Sequence, residues 1–271
     1  MKKLNQTRTI WILRIVMAIV GIVSAVIFVP WNAAVLWLSP LPDTMQIELD
    51  NAVANEFNGV IVYVDQAGED PSFHAAGWNN REEQILADPN ILFKIGSIIK
   101  LYVAAATVML VNDGTLSLDD TLADYLPDLL GQIENADQIT LRMLLQHRSG
   151  IPNYVDDSDW DWGEPPATLD AYLALVLDEP ADFLPDQRYA YSNTNYLLIG
   201  NILDNVIGYS HHRYIAEEIL QPLGLTNTYS LLSQVNADDV MSGYHYEVEP
   251  DLKDIPFIGV GGSMVATAED V

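Results

Sequence analysis

Apolar residues are spread unevenly along this chain, and their spacing changes character several times. Residues 1–9 are polar and basic, after which residues 10–29 form an apolar run whose one charge is Arg14. Wound as a helix, such a run matches the ~30 Å hydrocarbon core of a bilayer. Pro40, Pro42 and Asp43 close the apolar region. Beyond them Met45, Leu49, Val53 and Phe57 recur every four residues, a stripe that predicts a helix packed on a sheet. Residues 59–64 form a β-branched run, 65–70 carry turn residues, and 72–78 suit the returning arm of a hairpin. Residues 91–95 are again extended and apolar, and through Gly96 they lead into a helix that should end near Gly114.

From Leu118 to about Leu225 helical signals dominate. Helix starts are expected at Asp119-Asp120, Thr140 and Thr168, and Gly150 with Pro152 should stop a helix over 141–147. An apolar helix is expected over 196–207. Shorter segments follow at 227–232 and 243–249, then a tight loop at 259–263, and a new helix is expected to begin over 267–271. Strands come first and helices in the middle, which predicts an α+β fold: an antiparallel sheet flanked by helices, with an all-helical subdomain. A hairpin of two strands is not stable by itself. The pattern therefore predicts further strands beyond Val271, with the chain as a C-terminally truncated domain.

Charge changes this picture at the N-terminus. Twelve basic residues face 38 acidic ones for a net charge of −26, yet Lys2, Lys3, Arg8 and Arg14 fall in the first 14 residues, which hold no acid. Basic residues ahead of an apolar run predict a cytoplasmic N-terminus and an exported remainder. The run reads either as a retained anchor, with Trp31 and Trp37 in an interfacial belt, or as a signal peptide cleaved near Asn32-Ala33-Ala34. The anchor is the preferred reading. It divides the chain into a cytoplasmic segment 1–9, a membrane anchor or signal 10–29, a linker 30–43 and a globular domain 44–271. The protein is then a single-pass membrane protein with its domain outside the cytoplasm, or a secreted one if the signal is cleaved. The acidic remainder would repel phosphate backbones, which excludes nucleic acid as a partner. Its acidity suits life in salt or plain solubility equally well.

The absence of cysteine excludes disulfides, a thiol nucleophile and cysteine-based zinc sites. His74, His147, His211, His212 and His245 lack metal-ligand spacing, and adjacent His211 and His212 should lie on different sides of a helix. No metal and no cofactor is expected.

The candidate chemistry begins at Ser97-Ile98-Ile99-Lys100. Three residues apart on a helix, the hydroxyl and the amine share a face. A serine hydroxyl needs a base before it is a nucleophile, and a buried lysine sheds its charge readily enough to be one. Ile98, Ile99, Leu101, Val103 and the alanines that follow make burial of Lys100 the expectation. A lone Ser-x-x-Lys is weak, and Tyr191-Ser192-Asn193 by itself is weaker.

Order and spacing add more. Between those motifs lie Gly114-Thr115-Leu116-Ser117-Leu118-Asp119-Asp120 and Leu144-Leu145-Gln146-His147-Arg148-Ser149-Gly150-Ile151-Pro152. After them comes Gly261-Gly262-Ser263-Met264-Val265-Ala266-Thr267-Ala268-Glu269-Asp270. Together these segments resemble the serine β-lactamase-related family, which comprises class C β-lactamases, penicillin-recognising D-alanyl-D-alanine carboxypeptidases and related esterases. The resemblance covers residues 44–271 and implies the β-lactamase/DD-peptidase-like fold. It implies Ser97 as the acylated nucleophile and Lys100 as its proton-accepting or field-supplying partner. It implies Tyr191 as proton shuttle to the leaving group, and Asn193 as the residue that holds the substrate and orients Lys100. Burial favours a neutral lysine and the neighbouring ammonium an ionised tyrosine, so the pair can share a proton. The Ser97 N–H at a helix start suits half of an oxyanion hole. The family's third motif, Lys/His-x-Gly, has no match after Tyr191 and is expected beyond Val271. His147 is read as structural, and Trp160 and Trp162 as the rim of the site. The implied function is hydrolysis of peptide, β-lactam or ester substrates through an acyl-enzyme; the alternative is a penicillin-binding sensor that does not turn over.

Overall fold

The computed structural model describes residues 2–40, 42–244, 251–258 and 263–271, and the chain divides into two compact units, Met1–Glu48 and Leu49–Val271. Most of the expected segment 243–249 and of the loop at 259–263, with His245, lies outside the described residues.

The first unit is helical. Helix α1 (Lys2–Phe28) contains Ile10–Phe28, 19 residues of mean hydropathy 2.6, long and apolar enough to cross a membrane. Pro30 interrupts it, and α2 (Trp31–Leu38) follows where a linker was expected. The apolar run Trp31-Asn32-Ala33-Ala34-Val35-Leu36-Trp37-Leu38 has no glycine or proline to prevent a second helix.

Helix α3 (Met45–Ala54) bears the expected stripe, but only its middle is covered. Leu49 is 4% exposed, whereas Met45 is 39% exposed and Phe57 61%. The helix ends before Phe57, and Glu56, at φ +79°, turns the chain into the first sheet. There β1 (Gly59–Val64) and β2 (Ser72–Asn80) pair antiparallel in the register Val62 opposite His74, and β3 (Ile85–Leu86) adds to β2.

A second sheet is assembled from distant parts of the chain. Strand β4 (Phe93–Lys94) leads into α4 (Ile99–Asn112), the helix that starts with the Ser-x-x-Lys segment. Ile99, Val103, Ala106 and Leu110 form the buried face of α4, while Leu101 and Val108 remain exposed, so the helix is covered on one side rather than all round. Next come α5 (Leu122–Tyr125), α6 (Leu141–Leu145), α7 (Leu169–Leu173), α8 (Asn193–Ile207) and α9 (His211–Ile215). Helix α4 packs against α8 and α9, and α6 against α8. Strands β5 (Thr228–Tyr229) and β6 (Val265–Ala266) complete the sheet in the order β4-β6-β5, with Lys94 and Tyr229 both opposite Val265. Met264 and Ala266 are fully buried in the same core as α4 and α8.

Several local expectations shift by a few residues, each for a visible reason. Thr140 and Thr168 cap α6 and α7 as expected, accepting the N–H groups of Met143 and Ala171. The start expected at Asp119-Asp120 falls instead on Thr121, whose hydroxyl and the Asp124 carboxylate form a capping box. Helix α6 stops at Leu145 rather than at 147 because His147 turns to φ +55°. In place of the helix expected over 267–271 the chain makes a turn directly after strand β6. Asp270 accepts from the Asn227 N–H and the Thr228 hydroxyl, which pins that turn to β5. Neighbouring His211 and His212 do not diverge: their rings stack at 4.2 Å. The Asp204 carboxylate draws His211 Nδ1 to 2.8 Å and swings the ring over its neighbour, beside Gly200, where a Cβ would lie 3.0 Å from the imidazole.

Gly150, at φ +83°, is the glycine on which the site below depends, because a Cβ there would lie 2.0 Å from the Phe183 carbonyl oxygen. Gly208, at φ +78°, faces open space. Gly208→Ala is expected to cost about 1–2 kcal/mol, the left-handed backbone penalty alone. Gly150→Ala should cost on the order of 3 kcal/mol or more, since a rigid carbonyl must also move. Urea denaturation of both variants measures this, and equal losses would contradict the close approach at Gly150.

Candidate active site

The site is built where β4 runs into α4. After Lys94 the chain passes Gly96 at φ +53°, a backbone conformation that suits glycine, and makes a 3₁₀ turn over Gly96–Ile98. Ser97 sits exposed on that turn, and one helical turn later Lys100 is only 6% exposed. The apolar sequence expected to bury Lys100 does so. Its Nζ lies 3.2 Å from Ser97 Oγ and donates to Asn193 Oδ1 at 2.9 Å.

Tyr191 and Asn193 approach from the start of α8. The Tyr191 hydroxyl is 2.9 Å from Ser97 Oγ and 3.5 Å from Asn193 Oδ1. It is also hydrogen-bonded to Lys100, whose ammonium lies 5.1 Å from the Tyr191 ring centre. The four residues singled out in the sequence thus meet in one hydrogen-bonded cluster, with the hydroxyl of Ser97 open to solvent and the amine behind it enclosed.

What aims them comes from the turn after α6, and no local signal shows which partners that turn engages. Asn153 Oδ1 accepts both the backbone N–H and the side-chain Nδ2 of Asn193, at 2.9 and 3.1 Å. With its amide nitrogen so engaged, Asn193 must present its oxygen to Lys100. Thr194 donates to the Pro152 carbonyl and accepts the Tyr154 N–H. Asn195, fully buried, accepts from Ser149 Oγ at 2.6 Å. The segment leading to Tyr191 lies along the same turn: the N–H groups of Asp182, Asp186 and Ala190 donate to the carbonyls of Gly150, Arg148 and His147. Arg148 adds an ion pair to Asp186. These partners are 40 or more residues apart in several cases, so only Gly150 and Pro152 advertised a turn here.

The expected rim separates into two roles. Trp160 turns inward onto Tyr154 and Tyr172, with ring centres at 5.0 and 5.7 Å. Trp162 is 37% exposed and, with Phe93, Lys94, Gly96 and Phe257, lines a cavity of about 290 Å³ that reaches the Ser97 turn at Gly96. Lys94, which the sequence did not single out, donates to the carbonyls of Leu252 and Ile255 and so holds one wall. Burial lowers its pKa to about 8 despite the nearby Asp251 and Asp254. Among the described residues no group of three His, Cys, Asp or Glu side chains is arranged to hold a metal ion.

Burial likewise pushes the Lys100 ammonium below its ordinary range, and the hydrogen bond and charge of Tyr191 pull it partly back. The neutral amine is therefore more accessible than in a solvated lysine, and Tyr191 opposes its formation.

A central helix that opens with Ser-x-x-Lys, covered by helices on one side and joined to a short antiparallel sheet, is the α+β fold of the serine β-lactamases and penicillin-binding proteins. The Beta-lactamase family model matches residues 48–271, and the chain belongs to that family. It is 28% identical over 209 residues to Penicillin-binding protein 4* of Bacillus subtilis (strain 168), covering 74% of this chain and 45% of that protein. The chain thus spans less than half the length of this curated relative. Among solved structures it resembles the D-amino acid amidase of Ochrobactrum anthropi SV3 complexed with D-phenylalanine, with TM-score 0.70 and 26% identity over 83% of this chain and 67% of that one. It also resembles the penicillin binding protein of Bacillus halodurans, with TM-score 0.64 and 29% identity over 77% of this chain and 66% of that one.

Lys100 is expected to titrate below 10.5, and Tyr191→Phe should lower its midpoint further by removing a group that favours the ammonium. NMR of the lysine Cε and Nζ resonances reads both; a midpoint that rises in Tyr191→Phe contradicts the assigned coupling.

Proposed function

We propose that the protein is a serine hydrolase that acts through an acyl-enzyme on small amide or ester substrates, with peptides and β-lactams among the candidates. One observation carries the reading: Ser97 Oγ touches both the Tyr191 hydroxyl, at 2.9 Å, and Lys100 Nζ, at 3.2 Å. In the acylation step Ser97 Oγ attacks the substrate carbonyl carbon while its proton passes to the Tyr191–Lys100 pair. The carbonyl π electrons move to oxygen, and the Ser97 N–H at the start of the α4 turn is one donor toward that oxyanion. Collapse of the tetrahedral species expels the amine or alcohol, which takes the proton back through Tyr191. Water then attacks the acyl-serine by the same route and regenerates Ser97. Asn193 holds Lys100 in register and offers its amide edge to the substrate.

Membership of a family with penicillin-binding and amidase relatives supports this reading, as does the cavity at Gly96, large enough for an apolar acyl side chain. The apolar span at Ile10–Phe28 supports anchoring in a membrane with the domain exported.

Labelling of the whole chain with a fluorescent penicillin and with a fluorophosphonate tests the proposal. Ser97→Ala should abolish labelling, and Lys100→Met or Tyr191→Phe should slow it by about 10²–10⁴-fold. Lys100→Met should leave the melting temperature unchanged or higher, because it removes a buried cation. Labelling that survives Ser97→Ala sinks the assignment, and a penicilloyl label that never turns over points instead to a penicillin-binding sensor.

A further inference from the structure

His147 stands next to the site without touching Ser97, and its contacts are organised around a single neighbour. Its backbone carbonyl accepts the Ala190 N–H at 2.9 Å, and its Nδ1 accepts the Ser192 N–H at 3.2 Å. Its ring lies against the Tyr191 ring, with centres 4.5 Å apart and planes tilted by 34°. The peptide that follows Tyr191, the Tyr189–Ala190 peptide just upstream and the face of the Tyr191 ring are therefore all held by one residue. The imidazole also rests on Tyr196 at 5.1 Å, and Tyr189 meets it edge-on at 6.0 Å.

The hydrogen bonds also settle where the proton is. The Ser192 N–H can only donate. Asn195 Oδ1 is occupied by Ser149 Oγ at 2.6 Å, so Asn195 turns its Nδ2 toward His147 Nδ1, at 3.3 Å. Two donors converge on Nδ1, which must carry its lone pair, leaving the ring proton on Nε2. A proton added at Nδ1 would meet both donors head-on and cost both bonds. We propose that His147 is the positioning residue for Tyr191, and that protonation of its Nδ1 releases Tyr191 from Ser97 and so sets the acid limit of acylation.

This inference rests on the hydrolase reading above. The titratable and charged groups that face the ring are Lys100 from α4, Tyr196 from α8, and Tyr189 and Tyr191 from the segment entering α8. Burial first, and then the Lys100 ammonium, depress the histidine's pKa. The sign follows: with the neutral ring favoured by the fold, the clamp is intact at neutral pH and lost as pH falls through a midpoint below the usual 6.5.

Two variants separate the acceptor from the ring. Asn tolerates the φ of +55° at this position and places an oxygen close to where Nδ1 lies, but does not titrate. Phe keeps the ring and removes the acceptor. The rate of Ser97 labelling by a fluorophosphonate, measured on the full chain in detergent from pH 4 to 9, is the readout. For wild type the acid limb should coincide with the His147 midpoint, read from its Cε1 resonance. His147→Asn should label within about fivefold of wild type at pH 7 and lose that limb, while His147→Phe should be slower by ~100-fold across the range, the cost of a misplaced catalytic group. A His147→Phe chain that labels at the wild-type rate, or a His147→Asn chain that keeps the wild-type acid limb, overturns the proposal.

The Tyr191 Cζ resonance of wild type provides a readout independent of labelling and of whether either variant folds. It should move with the His147 titration, and if it stays fixed through that titration the clamp is refuted. If wild type never labels but Tyr191 follows His147, the hydrolase reading fails while the positioning role stands.

Discussion

A buried ammonium group with one side-chain carbonyl to hold it is the constraint on which the rest of this structure depends. Lys100 is 6% exposed, and its Nζ donates to Asn193 Oδ1 at 2.9 Å. Desolvating a charge costs several kcal/mol unless it is paired or neutralised, so the orientation of the Asn193 amide matters. Asn153 fixes that orientation by accepting from Asn193 Nδ2. Asn153 in turn belongs to the turn that Gly150, Ser149 and Thr194 hold against the first turn of α8. A chain of hydrogen bonds thus runs from an ordinary-looking loop to the amine beside Ser97.

The same turn governs Tyr191 through different atoms. Backbone bonds from Asp182, Asp186 and Ala190 lay the incoming segment along residues 147–150, and His147 Nδ1 accepts from the peptide that follows Tyr191. The phenol and the amine are therefore placed independently by one scaffold and meet at Ser97 Oγ. Packing and electrostatics share one element here: the apolar face of α4 that makes the core is also the setting that lowers the pKa of Lys100.

Much of the fold was legible because its signals are local. The β-branched run of β1 and the turn after it made the hairpin plain, and Thr140 and Thr168 marked two helix starts by their capping side chains. Where local reading slipped, a specific side-chain or strand contact had intervened, in some cases from far along the chain. Capping by Thr121 depends on Asp124 turning back, and His147 ends α6 early to engage residues 190–192. Residues 267–271 carry helical composition, yet β6 forms beside them, because Val265 lies opposite Tyr229 on one side and, on the other, Lys94 from more than 160 residues earlier. His211 and His212 stack because Asp204, seven residues earlier, pulls one ring across.

By itself the sequence determined the ingredients of the site and their order: a serine and a lysine on one helical face, an apolar setting for the lysine, and a Tyr-Ser-Asn segment 94 residues after the serine. Those are properties of spacing and hydrophobicity, which local geometry turns into structure without outside help. Only the tertiary structure decided that the Tyr191 hydroxyl and Lys100 Nζ both reach Ser97 Oγ, that Asn153 turns the Asn193 amide, and that His147 carries its proton on Nε2. Each of these depends on which donor faces which acceptor across a desolvated gap, and that is set by backbone segments brought together from far along the chain.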